Sequence, residues 1–362
     1  MGLLAAYELG RRGLSVALLE RDQPARQASW ASAGILTQTA PSSSDPFERL
    51  RAASAPAYPQ LAADLRDETG VDPQLTLNGV VVPARDDAEA DAIRADTDRL
   101  RAAGSPVELV EGAALRDAEP ALSQRIPAAR LESGGQIDNR RLCLALEIAC
   151  RQRGVAIHTG AHVTEVLSQG QRVAGVRSLT GSVSAHRVVI AAGSWSGQVK
   201  GCEPVVPVVP QRGQILALAR RGTPLRRVVR AMNDPYIVPR VDGRVVVGAT
   251  REFAGYEAAL TARGVAWLLQ SAMDLVPALA DAPIVETWTG FRPVSRDGLP
   301  AIGPGTLDGL YFLTGHGPSG IAPAPASVKL LVALMLGEPP PVPAAPYDPR
   351  RFAAGLSEPT QG

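Results

Sequence analysis

The chain opens on Gly2-Leu-Leu-Ala-Ala-Tyr-Glu-Leu-Gly-Arg-Arg-Gly-Leu-Ser-Val-Ala-Leu-Leu-Glu20, and this stretch restricts the fold more than any other. Its pattern predicts a helix from about Leu3 to Arg12, a turn at Gly13 and a buried strand over Ser15–Leu19. A helix that turns into an apolar strand ending in a carboxylate is the second half of a dinucleotide-binding βαβ unit. Gly2 fits the last glycine of G-x-G-x-x-G, which lets the helix pack close to the strand. Glu20, 18 residues further on, stands where a carboxylate accepts hydrogen bonds from an adenosine ribose. The sequence holds no strand ahead of Gly2 and neither of the other two glycines. Read alone, the stretch is equally an ordinary helix–strand pair. The expectation is that Met1 is an internal residue of a longer product, occupying an x of the motif, and that the chain as written would hold a dinucleotide weakly.

A chain of 362 residues is long enough for two domains with large cores. A net charge of +1 gives no reason to expect nucleic acid or an anionic membrane surface as partner. No apolar run approaches the roughly 20 residues that span a bilayer. Glu8 and Arg11 interrupt any signal peptide, and Ala6 stands where a myristoylation motif needs Ser or Thr. Cys143, Cys150 and Cys202 lack metal-ligand spacing and read as buried thiols. The expected setting is therefore cytoplasmic and reducing, with no metal.

After Glu20 comes a loop of small residues, Arg26–Leu36, whose backbone N–H groups can approach a ligand closely. Thr37–Pro46 is polar and Ser-rich. Phe47–Thr69 reads as helix interrupted near Pro56 and Pro59, Leu75–Pro83 as strand, and Asp86–Ala103 as a polar helix with a stripe of Ala90, Ile93 and Leu100. Glu111–Leu122 is a further helical piece. Asp138 is an N-cap candidate for a helix whose face is Leu142, Leu146 and Ala149. Strands follow at 155–158, 163–166, 172–177 and 187–191, the last leading into Ala191-Ala-Gly-Ser-Trp-Ser-Gly197. From Val205 the texture becomes antiparallel, with strands at 214–218, 227–231, 236–240 and 244–250 and a hairpin turn at Val241-Asp-Gly243. A helix over about 260–275, a strand at 284–291, a short strand at 311–314 and a helix reaching about Leu336 complete the pattern. A Pro-rich tail wraps the surface. The fold class is α/β: a parallel βαβ domain, discontinuous in sequence, interleaved with an antiparallel-sheet domain.

These pieces together resemble the D-amino-acid-oxidase family of FAD-dependent amine oxidoreductases, in particular its glycine-oxidase branch, which serves thiamine biosynthesis. The resemblance is carried by Gly2–Glu20, Gln27–Leu36, Gly135–Leu142, Ala191–Gly197, Arg212–Gln214 (R-G-Q), Tyr236–Thr250, Trp288–Gly303 and Gly315–Ile321, in family order along nearly the whole chain. It implies a Rossmann-like FAD-binding domain of the glutathione-reductase type over 1–78, 132–203 and 286–362, here without its first strand. It implies a substrate domain over 79–131 and 204–285. It places Glu20 on the adenosine ribose with Gly2 behind it, and Ala28, Ser29, Gly34, Ile35 and Leu36 along the pyrophosphate and one flavin edge. Val163 would meet the adenine through its backbone, and Ala191 and Gly193 would line the cofactor. Gly315, Gly317, Ser319, Gly320 and Ile321 would lie along the pyrimidine edge, where N–H groups at a helix start stabilise the reduced ring. Arg292 matches the family's carboxylate-binding arginine, otherwise a surface ion pair, and Tyr236 its substrate-proximal tyrosine, otherwise a core aromatic.

The implied reaction is oxidative deamination of glycine, a small D-amino acid or a secondary amine, with oxygen as acceptor and hydrogen peroxide as product. Positioning carries the catalysis, and His316 shapes its loop rather than acting as a base. FAD would be non-covalent, since no cysteine follows Cys202. The chain departs from the glycine-oxidase motif G-H-[FY]-R-N-G-I at Gly317 and Pro318, which could open the pocket to larger amines. Other readings are a D-amino-acid dehydrogenase with a quinone acceptor, or an inactive remnant. A homo-oligomer is left open.

Overall fold

The computed structural model describes residues 1–37, 44–220, 222, 224–232 and 235–353. Most of the Ser-rich stretch and the last nine residues of the tail lie outside them. The first helix, α1 (Gly2–Arg11), buries Leu3, Leu4, Tyr7 and Leu9 and turns at Gly13 into β1 (Ala17–Leu19). The small-residue loop is more regular than its composition predicts. It folds into a helical turn, α2 (Ala28–Ala31), and a strand, β2 (Ile35–Thr37), because its carbonyls find partners on neighbouring elements. Prolines at the first turns of α3 (Pro46–Ser54) and α4 (Tyr58–Thr69) break the following helical stretch into two.

Next come β3 (Val80–Pro83), α5 (Asp87–Ala102), β4 (Val107–Glu111), α6 (Gly112–Ala118), β5 (Ala128–Glu132) and β6 (Gly134–Gln136). Along α5 the buried residues are Ala90, Ile93 and Thr97, not Leu100; the Thr97 hydroxyl donates to the Ile93 carbonyl, which lets it sit inside. Asp138 caps α7 (Asn139–Gln152) by accepting from the amides of Arg140 and Arg141, both at 3.0 Å. The strand β7 (Ala156–His158) pairs parallel with β1. A three-stranded antiparallel sheet follows, β8 (Val163–Gln169), β9 (Arg172–Ser178) and β10 (Gly181–Ser184), whose last, polar strand has no apolar signal in the sequence.

After β11 (Val188–Ile190) the chain enters β12 (Val208–Ala219), β13 (Val228–Arg230), β14 (Tyr236–Pro239), β15 (Arg244–Gly248), helix α8 (Ala262–Leu275) and β16 (Ile284–Ser295). With β3, β5 and β4 these strands form one eight-stranded sheet in the order β16-β12-β15-β14-β13-β3-β5-β4. A boundary at residue 286 thus falls within β16, which pairs with β12 from Val208↔Ser295 to Leu218↔Ile284. The chain ends through β17 (Ala301–Pro304), β18 (Leu310–Thr314) and α9 (Ala324–Leu336). The tail is anchored by buried Tyr347, whose hydroxyl donates to the Pro46 carbonyl at 2.6 Å.

Period-two alternation gives the large sheet two apolar faces. One, with Leu216, Ile237, Val245 and Val247, packs on Leu268, Ala272 and Leu275 of α8. The other, with Ile215, Val228, Val238, Val246 and Trp288, meets Ala31 and Ala33. A separate core joins α1, α4, α7 and α9 around Tyr7, Leu65, Leu146 and Leu331. β1 pairs only with β7, and β11 only with β18, so each has a bare edge among the described residues. The three cysteines are buried, and burial pushes their thiols up to about 11 for Cys143 and about 12 for Cys150 and Cys202. No helix among the described residues is long and apolar enough to cross a membrane.

Candidate active site

A cleft of about 1350 Å³ runs from β1, past α2 and β2, to the inner face of the eight-stranded sheet. Gly2, Glu20, Val163, Ala191 and Gly193 line one end, with Ala28, Ser29, Gly34 and Ile35 along the middle. The turn Gly317–Ser319, Gly320 and Ile321 closes a side, and Tyr236 and Arg292 stand at the sheet end. The structure therefore gathers most of the residues singled out from the sequence. Two stand back from the wall. Leu36 points into the helical core at 5% exposure, and Gly315 turns against Ser295. The cleft also extends between the bare edges of β1 and β11, lined there by Val16, Leu18, Val189 and Ala191.

Charge in the cleft is one-sided. Glu20 is the only carboxylate among the described lining residues, against seven arginines, of which Arg21, Arg51 and Arg230 pair with Asp22, Glu48 and Glu132 behind the wall. Such a wall favours an anionic ligand, and low-dielectric sides strengthen the attraction. Glu20 itself is half-buried at the end of β1, and one of its carboxylate oxygens accepts from the Asp22 amide at 3.0 Å.

At the sheet end, two glycines in extended backbone seat the side chains of Arg292 and Tyr236. A β-carbon on Gly213 would lie 2.7–2.8 Å from the Arg292 guanidinium. One on Gly248 would lie 2.4–2.7 Å from the ring and hydroxyl of Tyr236. Neither glycine needs a left-handed backbone, and glycine weakens a strand interior, so both serve close approach. They sit on neighbouring strands, and Gly213 is two residues from Ile215, the partner of Gly248. The Arg292 and Tyr236 side chains therefore converge on one patch. Both glycines lie inside motifs of the sequence without a legible role there; a glycine in the interior of a strand is the signal of such a close approach.

Arg292 is held from behind. It donates to the Thr250 carbonyl at 2.8 Å. The Thr250 hydroxyl donates to Glu252 at 2.5 Å, as does the Gln214 side-chain amide at 2.8 Å, and Arg212 pairs with the same carboxylate. Burial opposes the Glu252 charge, but the bonds from Thr250, Arg212 and Gln214 outweigh it and hold the carboxyl below its usual range.

His316 is 2% exposed, and its Nε2 pairs with the Ser327 hydroxyl of α9 at 3.1 Å. Burial pushes its pKa down to about 3, so it is neutral near pH 7 and fastens its loop to the helix. The loop itself differs from the expected helix start. It forms a separate turn, and the first amides of α9 are taken: Ala324 donates to the Ile321 carbonyl and Ala326 to the Ser54 hydroxyl.

The chain belongs to the FAD-dependent oxidoreductases of the DAO family, whose sequence profile matches residues 1–334. It is accordingly an oxidoreductase, with FAD as cofactor. It is similar to a glycine oxidase of Pseudomonas aeruginosa, 36% identical over 354 residues that cover 96% of each chain. A bifunctional ThiO/ThiG protein of Trichormus variabilis is 33% identical over 91% of this chain and 50% of its own length. Among solved structures, a glycine oxidase from Geobacillus kaustophilus superposes with a TM-score of 0.91 at 29% identity, covering 98% of this chain and 96% of that one. The mixed α/β architecture is thus that of FAD oxidoreductases.

Proposed function

We propose that this chain oxidises glycine or another small amino acid or secondary amine to an imine that water hydrolyses to a 2-oxo acid and ammonia, or a primary amine where the substrate is a secondary amine, with oxygen as final acceptor and hydrogen peroxide released, in thiamine (thiazole) biosynthesis. The observation that carries the reading is the seating of Arg292 on Gly213 and Tyr236 on Gly248, at the sheet end of a cleft whose other end holds Glu20. When bound, FAD supplies the acceptor for a hydride from the substrate's α-carbon.

The residues present fit that cofactor in shape and charge: an elongated cleft, a carboxylate for a ribose and an arginine-rich wall for a pyrophosphate. In this reading Glu20 accepts from the ribose, and the Ala28–Ile35 backbone and Gly317–Ile321 turn flank the flavin. Arg292 holds the substrate carboxylate through two parallel hydrogen bonds, and Tyr236 sets its rotation. No acid–base side chain is needed, because an amine that enters as the free base requires only alignment. The turn leaves space: a β-carbon at Gly317 would meet nothing within 4 Å. The absence of a bulky side chain at Gly317 supports trying substrates larger than glycine, such as sarcosine and D-alanine.

The reading includes a Rossmann-like cofactor domain assembled from 1–78, 132–203 and 286–362, with the substrate domain between. The slot between β1 and β11 would take one further parallel strand whose last turn carries the phosphate glycines. The test is an absorbance spectrum of the purified chain with added FAD, then anaerobic addition of glycine, sarcosine and D-alanine. A bound flavin that these amines bleach, with peroxide formed on admitting air, is expected. A bleached flavin that forms no peroxide and is reoxidised only by a quinone would make the chain a dehydrogenase. A flavin that none of the three amines reduces would overturn the proposal.

A further inference from the structure

The segment 29–34 is held by its carbonyls. Asn139 donates its side-chain amide to the carbonyls of Ser29 and Trp30, at 2.7 and 2.9 Å. Trp288 donates its indole N–H to the Ala31 carbonyl at 3.0 Å. Arg240 donates to the Ala33 carbonyl at 3.0 Å. The Gly34 carbonyl accepts from the Ile137 amide at 2.9 Å, and Gly34 packs so closely there that a β-carbon would fall 2.0 Å from the Ile137 oxygen. Five carbonyls of one short segment are thus occupied on the side away from the cleft it lines.

Arg240 is the hub of these contacts. It is 5% exposed, directly after β14, and its guanidinium donates to Gln136 Oε1, the Ile137 carbonyl at 3.1 Å and Asn139 Oδ1 at 2.8 Å besides Ala33. Each of these acceptors is neutral, and the carboxylates that act on the guanidinium, those of Asp138 and Asp242, do so through space, so an ionised guanidinium buried here relies on all the acceptors together. It belongs to the same strand run as Tyr236, four residues earlier. One strand therefore carries a substrate-site side chain at one end and the fastening of the cofactor-side segment at the other. Trp288, three strands away on β16, adds a second tie from the same sheet and lies four residues before Arg292.

We propose that Arg240 is a positioning residue for the cofactor segment: with Asn139 and Trp288 it fixes Ser29–Gly34 in the shape that FAD requires and couples that segment to the strand bearing Tyr236. The inference rests on the function proposed above, but the clamp has a readout of its own. Amide hydrogen exchange on the full chain without FAD reports the segment directly. Arg240→Met is expected to speed exchange at Ala31, Ser32 and Ile35 at least tenfold, with the amides of α8 unchanged. FAD titration by flavin fluorescence should show a dissociation constant at least tenfold weaker. Arg240→Lys, which keeps the charge and loses most donors, should fall between. Trp288→Phe keeps the ring and removes one donor, so it should shift Ala31 and Ser32 in the same direction by a smaller factor.

Exchange at the segment within twofold of the parent in both Arg240→Met and Trp288→Phe would overturn the clamp. So would an unchanged FAD dissociation constant in variants whose segment has loosened. If Arg240→Met fails to fold, Trp288→Phe and Asn139→Ala decide the matter. A parent chain that takes up no FAD would count against the flavin reading, while exchange would still decide the clamp.

Discussion

At the scale of single residues, the site depends on what two glycines lack. Gly213 lies flat under the Arg292 guanidinium, so Gly213→Ala should push the guanidinium away without touching the substrate itself. Losing one charge-assisted hydrogen bond weakens binding by about 1.5–3 kcal/mol. A rise in KM for the amino acid of at least about tenfold is therefore expected, with a smaller change in kcat; steady-state kinetics on glycine or sarcosine would show it. An unchanged KM would mean that Arg292 does not grip the carboxylate. His316 offers a second test. Its folded pKa of about 3 lies below the ordinary value of 6.5, so the unfolded chain binds the extra proton between those limits. The stability from keeping it neutral is complete above pH 6.5 and is lost as pH falls toward 3, by up to about 1.4 kcal/mol per pH unit. His316→Gln should flatten the fall in Tm between pH 7 and pH 5 relative to the parent. Parallel curves for the two proteins would contradict the buried neutral ring.

At the scale of elements, the clearest feature is the pair of strand edges on β1 and β11 that are bare among the described residues. Parallel strands are stable when buried on both faces and paired on both sides, and an unpaired edge leaves backbone N–H and C=O groups unsatisfied. An N-terminal extension that supplies about five alternating valine and isoleucine residues ending in Gly-x-Gly should fill the slot. FAD affinity should rise at least about tenfold relative to the chain as written, measured by flavin fluorescence, since backbone amides at such a turn bind phosphate. A same-length polar extension serves as control. Equal affinities for the two extensions would show that the slot takes no strand.

At the scale of the whole molecule, the cleft is walled by two sheet systems and their helices. A ligand that bridges both should stabilise both. FAD at 100 times its dissociation constant should add about 2.7 kcal/mol, which for a chain of this size is a rise in Tm of roughly 3–4 °C. The melting transition should also sharpen into one step, as followed by calorimetry. Two transitions with only one shifted by FAD would show that the halves are held independently.

Much of this was readable along the chain because it rests on local rules. The turn at Gly13, the Asp138 cap, the hairpin at Val241-Asp-Gly243 and the alternation of the later strands depend on backbone preferences and residue period, which neighbours a few positions apart decide. The order of motifs carried the family and its cofactor. Other features were not legible, because they are made by residues distant in sequence. The Arg26–Leu36 stretch reads as a loop, and its helix and strand exist because Asn139, Trp288 and Arg240 take its carbonyls. Leu36 reads as cofactor-facing, yet the pairing of β2 with β6 turns it into the core. Gly213 and Gly248 look like weak points of strands until Arg292 and Tyr236 are laid over them. Local propensity therefore determined which elements form, whereas the site was decided by strand register and close approach, which only the assembled sheet supplies.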